Sequence, residues 1–314
     1  MQVIELDRIN RALRSVDLLS EIEAGFIAYS DGKAVIPPVG ELLFGSPPGD
    51  VHIKYGYVSG DDYYVIKIAS GFYDNPKLGL PSSNGMMLLF NQRTGTPECI
   101  LLDGGHLTDL RTAAAGAVAA RAIAPEKIKR IGIVGTGIQA RLQLNLLKSV
   151  TDCRDVAVMG RSREKMDQYK QDMETDGFRV ETTSDAAEVG ATCDLIVTTT
   201  PATSPLLLAD QIGSGTHITA VGSDTSEKKE LDAAILGKAD LVVADSISQC
   251  LERGEIFHAI RERTIERSDL VELGDILSGR QPGRTSENQI TVADLTGVAV
   301  QDIQIAKAVF EQCR

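Results

Sequence analysis

The chain has 314 residues, of which 43% are hydrophobic, and a formal net charge of −12 at pH 7. This length predicts two domains, because a domain usually holds about 100–200 residues. The acidic balance argues against nucleic acid as a partner, since binding a phosphate backbone requires a basic stripe that releases counterions.

Membrane insertion, disulfide bonds and structural metal sites are also disfavoured by the sequence. No apolar run approaches the roughly 20 residues that span a bilayer, and the N-terminus lacks the basic and then apolar pattern of a signal peptide. The five cysteines form no Cys-x-x-Cys pair, and the four histidines show no ligand spacing. We therefore expect a cytoplasmic protein without membrane contact, disulfides or a bound metal.

The first third of the chain predicts an antiparallel sheet. Strands are predicted at 51–58, 63–69, 85–90 and 98–102, with turn-forming runs between them. Strands linked this closely favour antiparallel pairing, so this region is predicted to be a separate α+β domain. The Ala-rich pattern at 107–124 predicts a helix that connects the two domains.

A β-branched run at 131–134 leads into a Gly-x-Gly-x-x-Ala motif. In this spacing Gly135 permits a tight strand-to-helix turn, Gly137 leaves room for a pyrophosphate, and Ala140 lets the helix pack closely. The pyrophosphate would lie at the positive end of that helix. A structural turn without a ligand is the alternative. The predicted cofactor-binding residues of the turn are Gly135, Thr136, Gly137, Ile138, Gln139 and Ala140.

The segments after this motif continue the alternation of helices and strands. Helices are predicted at 139–150 and 163–173, and strands at 155–159, 195–197, 217–221 and 241–244. Such alternation is typical of a parallel sheet covered on both faces. The predicted fold class is therefore α/β, with a Rossmann-type doubly wound parallel sheet in addition to the antiparallel domain.

The end of the second strand of this sheet bears on the choice of cofactor. NAD-specific folds usually place an acidic residue about 20 residues past the glycine motif, whereas this chain has Arg161 and Ser162 near that point. Both side chains can pair with a 2′-phosphate, which favours NADP(H). NAD(H) stays open, because a guanidinium can also stack on adenine.

Several separated motifs together resemble the ornithine cyclodeaminase and μ-crystallin family of NAD(P)-dependent enzymes. The resemblance extends from about Ile36 to the C-terminus. In chain order the motifs are Ile66-Lys67, Gly71-Phe72-Tyr73-Asp74-Asn75-Pro76, Leu102-Asp103-Gly104, Leu107-Thr108, Arg111-Thr112-Ala113-Ala114, the glycine motif, Val221-Gly222-Ser223-Asp224 and Thr291-Val292-Ala293-Asp294.

The resemblance implies a homodimer and a shared chemistry. The substrate-binding and dimerisation domain would consist of residues 1–118 and 295–314, and a helix after Asp302 would return to it. The dinucleotide-binding domain would consist of residues 119–294. Hydride passes between nicotinamide and the α-carbon of an amino acid or its imine. Cyclodeaminases go on to close a ring and lose ammonia, whereas imine reductases and amino acid dehydrogenases do not.

The resemblance also assigns roles to single residues. It places Lys67 and Arg111 at the substrate carboxylate, with Lys67 counted as catalytic. Arg111 can bind a carboxylate through two parallel hydrogen bonds, and Lys67 supplies a point charge. Two alternatives remain: Arg111 in a helix-surface ion pair with Asp109, and Lys67 as an exposed strand lysine.

Asp224 follows an apolar strand, where ligands gather in doubly wound folds. The resemblance makes it the general acid/base that handles the proton of the substrate nitrogen. A helix cap is the alternative role. The resemblance further implies cofactor contacts for Thr112, Thr199, Val221 and Lys228, although Lys228 could equally be a surface lysine.

Two departures from the family pattern bear on the substrate. Many relatives carry an arginine after the Pro-Pro pair, where this chain has Val39. In the next strand, His52 and Lys54 place two basic groups on one face, which would repel the terminal amine of ornithine or lysine. We therefore predict that both bind an anionic substrate such as the dicarboxylic imine iminosuccinate. The alternative is that they point to solvent from an edge strand.

Three functions remain to be separated. The favoured one is reduction of a small α-imino acid to an L-amino acid, and the others are a cyclodeaminase that recycles bound NAD and a non-catalytic NADPH-binding, crystallin-like protein. The retained Lys67, Arg111 and Asp224 favour an enzyme. His217 lies in an apolar strand pattern typical of a buried, hydrogen-bonded histidine, and His106 in a turn before the predicted helix, so neither is assigned a catalytic role.

Overall fold

The computed structural model describes residues 1–72 and 74–314, so Tyr73 of the second motif lies outside the described residues. The chain divides into two compact units, Met1–Arg111 with Val298–Arg314, and Thr112–Gly297. Residues 112–118 and 295–297, predicted for the first domain, thus group with the second unit. One contact that ties the start of this segment to the second unit is a hydrogen bond in which the Gln143 amide donates to the Thr112 carbonyl at 3.1 Å.

In the described part of the first unit, a seven-stranded sheet is accompanied by three α-helices that lie wholly within the unit. The strands are β1 (Gln2–Glu5), β2 (Ala34–Val35), β3 (Gly40–Gly45), β4 (Pro48–Val58), β5 (Tyr63–Phe72), β6 (Ser83–Asn91) and β7 (Pro97–Leu102), and the helices are α1 (Leu6–Leu13), α2 (Leu18–Ser30) and the C-terminal α11 (Ala299–Gln312). The sheet order is β1-β7-β6-β5-β4-β2, with β3 also paired to β4. The four predicted strands are confirmed as β4 to β7. The sheet is antiparallel except where β1 runs parallel to β7.

The two faces of this sheet differ in burial. Alternation along β5 and β6 turns Val65, Met87 and Leu89 inward, where they are at most 1% exposed, and α11 packs on β4, β5 and α2. The opposite face leaves Tyr55 and Tyr57 more than a third exposed. One face therefore forms the core of the unit, and the other presents aromatic side chains to the surface.

The helix α3 (His106–Ile123) begins in the first unit and continues into the second, as the predicted connecting helix. The remaining elements of the second unit follow in chain order. They are β8 (Ile131–Val134), α4 (Ile138–Leu146), β9 (Asp155–Met159), α5 (Arg163–Thr175), β10 (Arg179–Thr183), α6 (Ala186–Thr192), β11 (Leu195–Thr198), β12 (Thr203–Leu207), β13 (His217–Ala220), β14 (Lys229–Leu231), α7 (Ala233–Lys238), β15 (Leu241–Ala244), α8 (Ile247–Cys250), α9 (Glu255–Arg261), β16 (Leu270–Glu272), α10 (Leu273–Leu277) and β17 (Thr291–Asp294).

The sheet of the second unit is parallel throughout, in the order β10-β9-β8-β11-β13-β17-β15-β16. The order runs outward in both directions from β8 and β11, which makes the gap between their carboxyl ends the topological switch point where doubly wound folds bind ligands. The predicted Rossmann-type fold is confirmed. The separate pairing of β12 with β14 was not predicted. Among the described residues, no helix has the length and apolar character of a membrane span.

Candidate active site

A cluster of charged side chains lies on the inner face of the first unit. Lys67 on β5 is 2% exposed and Arg111 on α3 is 5% exposed, and both meet Asp302 in the first turn of α11. Lys67 Nζ lies 3.0 Å from Asp302 Oδ1 and 2.9 Å from Oδ2, and Arg111 Nε lies 2.8 Å from Oδ1. Two buried cations thus share one buried carboxylate, which offsets the cost of removing their charges from water.

The register of the sheet adds Lys54 to this cluster. Lys54 on β4 lies directly opposite Lys67 on β5, and side chains at paired positions of an antiparallel sheet share a face. The four side chains carry three positive charges and one negative charge when Lys67 is protonated. Such an excess of positive charge favours an anion as the ligand.

The same contacts shift the acid–base behaviour of the cluster. Burial, followed by the charge of Arg111, lowers the pKa of Lys67 to about 7, although Asp302 opposes this shift. Burial acts to raise the pKa of Asp302, but Arg111, Lys67 and Lys54 together hold it below its ordinary value. Asp302 therefore stays ionised at neutral pH, and Lys67 exchanges its proton near neutrality.

The two alternatives for Lys67 and Arg111 are wrong, because neither side chain is on the surface. Arg111 pairs with Asp302 and donates through Nη1 to Gln301 Oε1 at 2.8 Å. Asp302 and Gln301 were not predicted as site residues. A carboxylate beside an amide in a mostly apolar C-terminal helix was the available signal, since such groups are rarely buried without partners.

The structure distinguishes His52 from Lys54, both half-buried on β4. His52 lies 3.5 Å from Glu41 and 3.6 Å from Asp50, so two carboxylates flank it. The edge-strand alternative is wrong, because β4 pairs with β5 on one side and with β2 and β3 on the other. Lys54 belongs to the cation cluster, whereas the surroundings of His52 are acidic.

In the second unit, the glycine turn has the geometry that its spacing predicts. Gly135 has a φ of +122°, and a Cβ there would lie 2.5 Å from Thr199 Oγ1, so the turn after β8 and the loop after β11 meet at the switch point. Apart from Gly137 and its two chain neighbours, no described residue has an atom within 4 Å of the position that a Cβ on Gly137 would take. The backbone of the turn therefore leaves the open space that a pyrophosphate requires.

The side chains around this turn hold it in place. Ala140 is fully buried in the first turn of α4. Arg141 donates to the Thr136 carbonyl at 2.6 Å and pairs with Asp172 at 2.6 Å. Gly160 directly follows β9 and approaches Thr136 closely. A Cβ on Gly160 would lie 2.8 Å from the methyl group of Thr136. The residues present fit a dinucleotide at this edge of the sheet.

Other predicted cofactor residues lie on the same edge of the second unit. Arg161 follows β9 and is exposed, whereas the Ser162 hydroxyl accepts from Lys165 N at 3.4 Å and so caps α5. Thr199 follows β11, and Val221 follows β13. Thr112 belongs to the same unit, and its carbonyl accepts the bond from Gln143.

Asp224 lies in the loop after β13 and is exposed. Lys228 Nζ donates to its Oδ1 at 2.5 Å, so the two predicted residues pair with each other. The helix-cap alternative is wrong, because the described chain from Asp224 to β14 contains no helix. Asp224 therefore presents a carboxylate at the carboxyl edge of the sheet, and Lys228 is its ion-pair partner.

His217 has the surroundings of a structural residue. His217 is fully buried, with its ring nitrogens 2.8 Å from Thr291 Oγ1 and 2.9 Å from Thr219 Oγ1. Burial, followed by the charge of Arg284, lowers the pKa of His217 to about 3. The prediction of a buried, hydrogen-bonded His217 is confirmed. His106 begins α3, and the five cysteines are free thiols.

The fold and these two groups of residues define the class: an α/β protein with a Rossmann-type sheet in one unit and a buried cation cluster in the other. The chain belongs to the ornithine cyclodeaminase/mu-crystallin family, whose profile matches residues 2–314. It is 40% identical over 314 residues to an uncharacterised cyclodeaminase of Sinorhizobium fredii, covering 99% of this chain and 92% of that protein. It is 33% identical over 313 residues to an alanine dehydrogenase of Archaeoglobus fulgidus, covering 98% and 94%.

Solved structures extend the comparison. The structure of an archaeal alanine dehydrogenase dimer with bound NAD is similar, with a TM-score of 0.90, 31% identity and coverage of 99% of this chain and 95% of that one. The Δ1-pyrroline-2-carboxylate reductase of Thermococcus litoralis, with NADH and L-proline, gives 0.92 at 26% identity, covering 100% and 97%. The iminosuccinate reductase of Paracoccus denitrificans, with NAD⁺, gives 0.88 at 30% identity, covering 99% and 95%.

Proposed function

We propose that the protein is an NAD(P)-dependent oxidoreductase that reduces a small α-imino acid to an L-amino acid. The observation that carries the proposal is the buried pairing of Lys67 and Arg111 with Asp302. A protein that only stores a cofactor has no need to bury two cations against one carboxylate. Relatives named as alanine dehydrogenase and iminosuccinate reductase support the same class of reaction.

A reduced nicotinamide at this edge would supply the hydride that the α-carbon of the imine takes up as its C=N double bond becomes a single bond. Lys67 and Arg111 bind the α-carboxylate, with Arg111 as a fork and Lys67 as a point charge. Asp224 delivers the proton that the substrate nitrogen takes up, and it acts as the base in the opposite direction. Reduction consumes one hydride and one proton, and the amino acid leaves with its new C–H and N–H bonds.

In this proposal the carboxyl edge of the parallel sheet would hold the cofactor. The backbone of residues 135–140 would bind the pyrophosphate, and Thr112, Thr199, Val221 and Lys228 would make further contacts. Arg161 and Ser162 lie at the end of β9, where a 2′-phosphate would bind. Structures solved with NAD, NADH and NAD⁺ support a nicotinamide cofactor without deciding between its two forms.

For the substrate side chain, we propose a carboxylate, as in iminosuccinate. Lys54 lies opposite Lys67 and adds a positive charge to the cluster, which suits a second carboxylate and repels a terminal amine. The similar iminosuccinate reductase of Paracoccus denitrificans supports this substrate class. His52 contributes less, because Glu41 and Asp50 flank it.

We propose a homodimer as the working form. The archaeal alanine dehydrogenase is named as a dimer, and Tyr55 and Tyr57 leave an aromatic face of the first sheet exposed. Light scattering coupled to size-exclusion chromatography measures the mass directly, and a particle of the single-chain mass, 33.7 kDa, would contradict the dimer.

The function is tested by following reduced nicotinamide absorbance with NADH and NADPH. Each is offered α-keto acids with ammonia, oxaloacetate and pyruvate among them, since these form the α-imino acids in solution. Consumption that is fastest with oxaloacetate supports the dicarboxylic imine. Ammonia released from ornithine without net absorbance change would make the protein a cyclodeaminase, the second candidate, which the Sinorhizobium relative favours. Cofactor binding without turnover would indicate a crystallin-like binder.

A further inference from the structure

Glu230 on β14 is a buried carboxyl group that the proposed chemistry does not use. Its Oε2 accepts from Thr198 Oγ1 at 2.7 Å and from Gly222 N at 2.9 Å. Its Oε1 accepts from Thr200 N at 2.5 Å and from Thr200 Oγ1 at 2.8 Å. One carboxyl group thus connects two segments: the end of β11 with the loop that follows it, and the loop that follows β13.

The two loops approach each other as closely as the backbone allows. A Cβ on Gly222 would lie 2.3 Å from the Thr200 carbonyl oxygen and 2.6 Å from Glu230 Oε2. Only glycine avoids this overlap without a shift of the backbone. Gly222 therefore lets its own N–H reach the carboxyl group, which adds to the backbone bonds from Val221 N and Gly222 N to the Thr198 carbonyl at 3.0 and 3.2 Å.

A second carboxyl group fixes the position of the first. Glu255, at the start of α9, accepts from the backbone N of Glu230 at 2.7 Å and from that of Leu231 at 3.1 Å. Burial raises the pKa of Glu230 to about 7 and that of Glu255 to about 8. A buried carboxyl group is costly unless it is hydrogen-bonded, and here the four donors to Glu230 come from the last residue of β11 and from the loops after β11 and β13.

These loops are the ones that carry Thr199, Val221 and Asp224. We infer that Glu230 is a positioning residue for the cofactor-binding edge: it holds the loops after β11 and β13 in one arrangement, and it acts through the residues that they carry. The inference rests on the proposed function for the assignment of this edge to the cofactor. The arrangement of the loops themselves is independent of that assignment.

The test compares Glu230→Gln with Asp194→Asn. The amide that Glu230→Gln introduces has one acceptor oxygen, so its NH₂ group must face the N–H of either Gly222 or Thr200, and one of these donors loses its bond. In this variant, hydrogen exchange speeds up at the amides of 199–202 and 221–224. The dissociation constant for NADH or NADPH, followed by nicotinamide fluorescence, rises by about tenfold or more, which corresponds to about 1.4 kcal/mol.

Asp194→Asn is the matched control, because Asp194 accepts from the backbone N of Lys129 and Arg130 at the amino end of β8 and β11, away from the loops at the carboxyl edge. It lowers the melting temperature but leaves cofactor affinity and exchange at 199–202 unchanged. If Glu230→Gln does not fold, Thr198→Val decides the question, since it removes one donor and keeps the carboxyl group. Faster exchange at Thr200 and Gly222 with weaker cofactor binding then supports the inference.

Unchanged exchange at both loops in Glu230→Gln overturns the inference. So does faster exchange with unchanged cofactor affinity, because the loops would then be held without positioning the cofactor. Failure of the proposed function has a different signature: no imino acid is turned over, while the cofactor affinities of Glu230→Gln and the unmodified protein still differ. If the unmodified protein binds neither NADH nor NADPH, the cofactor role of Glu230 is overturned, and the exchange measurement still reports whether Glu230 holds the loops.

Discussion

Lys67 and Asp302 lie 235 positions apart in the sequence, yet Lys67 Nζ donates to Asp302 Oδ1 at 3.0 Å in the core of the first unit. Arg111 approaches the same oxygen at 2.8 Å. The carboxylate therefore orients two cations at once and counteracts the downward shift that burial and Arg111 impose on the pKa of Lys67. Its removal should change both the stability of the unit and the pH range in which Lys67 is charged.

Asp302→Asn should lower the pKa of Lys67 further below about 7, because the charge that raises it is gone. Lys67 binds an anion as the ammonium, so KM should rise with pH through the pKa of Lys67, and in the variant this rise should begin at lower pH. Breaking a buried pair should also cost about 3–5 kcal/mol of unfolding free energy. KM against pH and urea unfolding measure the two effects.

Asp61→Asn is the control for this variant. Asp61 pairs at 2.8 Å with Lys307, which lies on α11, the helix that also carries Asp302. Asp61 itself does not belong to the Lys67 cluster. Asp61→Asn should reduce the stability of the protein slightly and leave the dependence of KM on pH unchanged. A profile that is identical in Asp302→Asn and in the unmodified protein would show that Asp302 does not control the charge of Lys67.

Lys54→Ala should discriminate between substrates. The loss of one positive charge beside Lys67 should raise KM for a dicarboxylic imine by about tenfold, as expected for one charge-assisted contact. KM for the imine of pyruvate should change little, because that substrate has only the carboxylate that Lys67 and Arg111 bind. Lys33→Ala, at a lysine whose side chain is 61% exposed, is the control. Equal effects of Lys54→Ala on both substrates would exclude the dicarboxylate proposal.

Arg161→Ala tests the choice of cofactor. Arg161 is exposed at the end of β9, and a guanidinium that pairs with a 2′-phosphate contributes through charge-assisted bonds. KM for NADPH should therefore rise by about tenfold, and KM for NADH should change less. Arg163→Ala removes a neighbouring guanidinium whose side chain is 92% exposed, and it should affect neither cofactor. A larger effect on NADH would indicate stacking on adenine instead.

His217 should make the second unit sensitive to acid. Its pKa in the folded protein is about 3, below the ordinary 6.5, so the unfolded chain takes up this proton first as pH falls. The histidine's stabilisation is present above pH 6.5 and is lost as pH falls towards 3, at up to about 1.4 kcal/mol per pH unit. His217→Gln should flatten this slope in urea unfolding, whereas His106→Gln should not. A slope that His217→Gln leaves unaltered would contradict the assignment.

Sequence periodicity was sufficient for the elements that alternate regularly. β9 spans Asp155–Met159, as predicted, and four strands of the first unit, β4 to β7, were placed to within a few residues, whereas β1, β2 and β3 were not predicted. The glycine motif located the turn at Gly135 because its spacing follows from backbone geometry. The helices α1 and α2 and the edge strand β10 were not predicted, since their short segments carry weak periodicity.

The parts of the site that the sequence did not reveal depend on distant pairing. Lys67 and Arg111 were assigned by resemblance, but nothing near them in the sequence indicates Asp302 as their partner. Glu230 was likewise missed, because its four donors lie at the end of β11 and on the loops after β11 and β13, which only the sheet order brings together. Motifs identify single residues, whereas burial and register determine which of them pair.

The position of the last strand and the last helix has a consequence for synthesis on the ribosome. β17 inserts between β13 and β15 in the middle of its sheet, and α11 covers the core of the first unit. Domains usually fold one after another as the chain emerges, but here neither unit can be completed until residues near the C-terminus have been made. During most of translation, Lys67 and Arg111 have therefore been synthesised but Asp302, their counter-charge, has not. A chain that stops before Thr291 would lack a central strand in one unit and this buried carboxylate in the other.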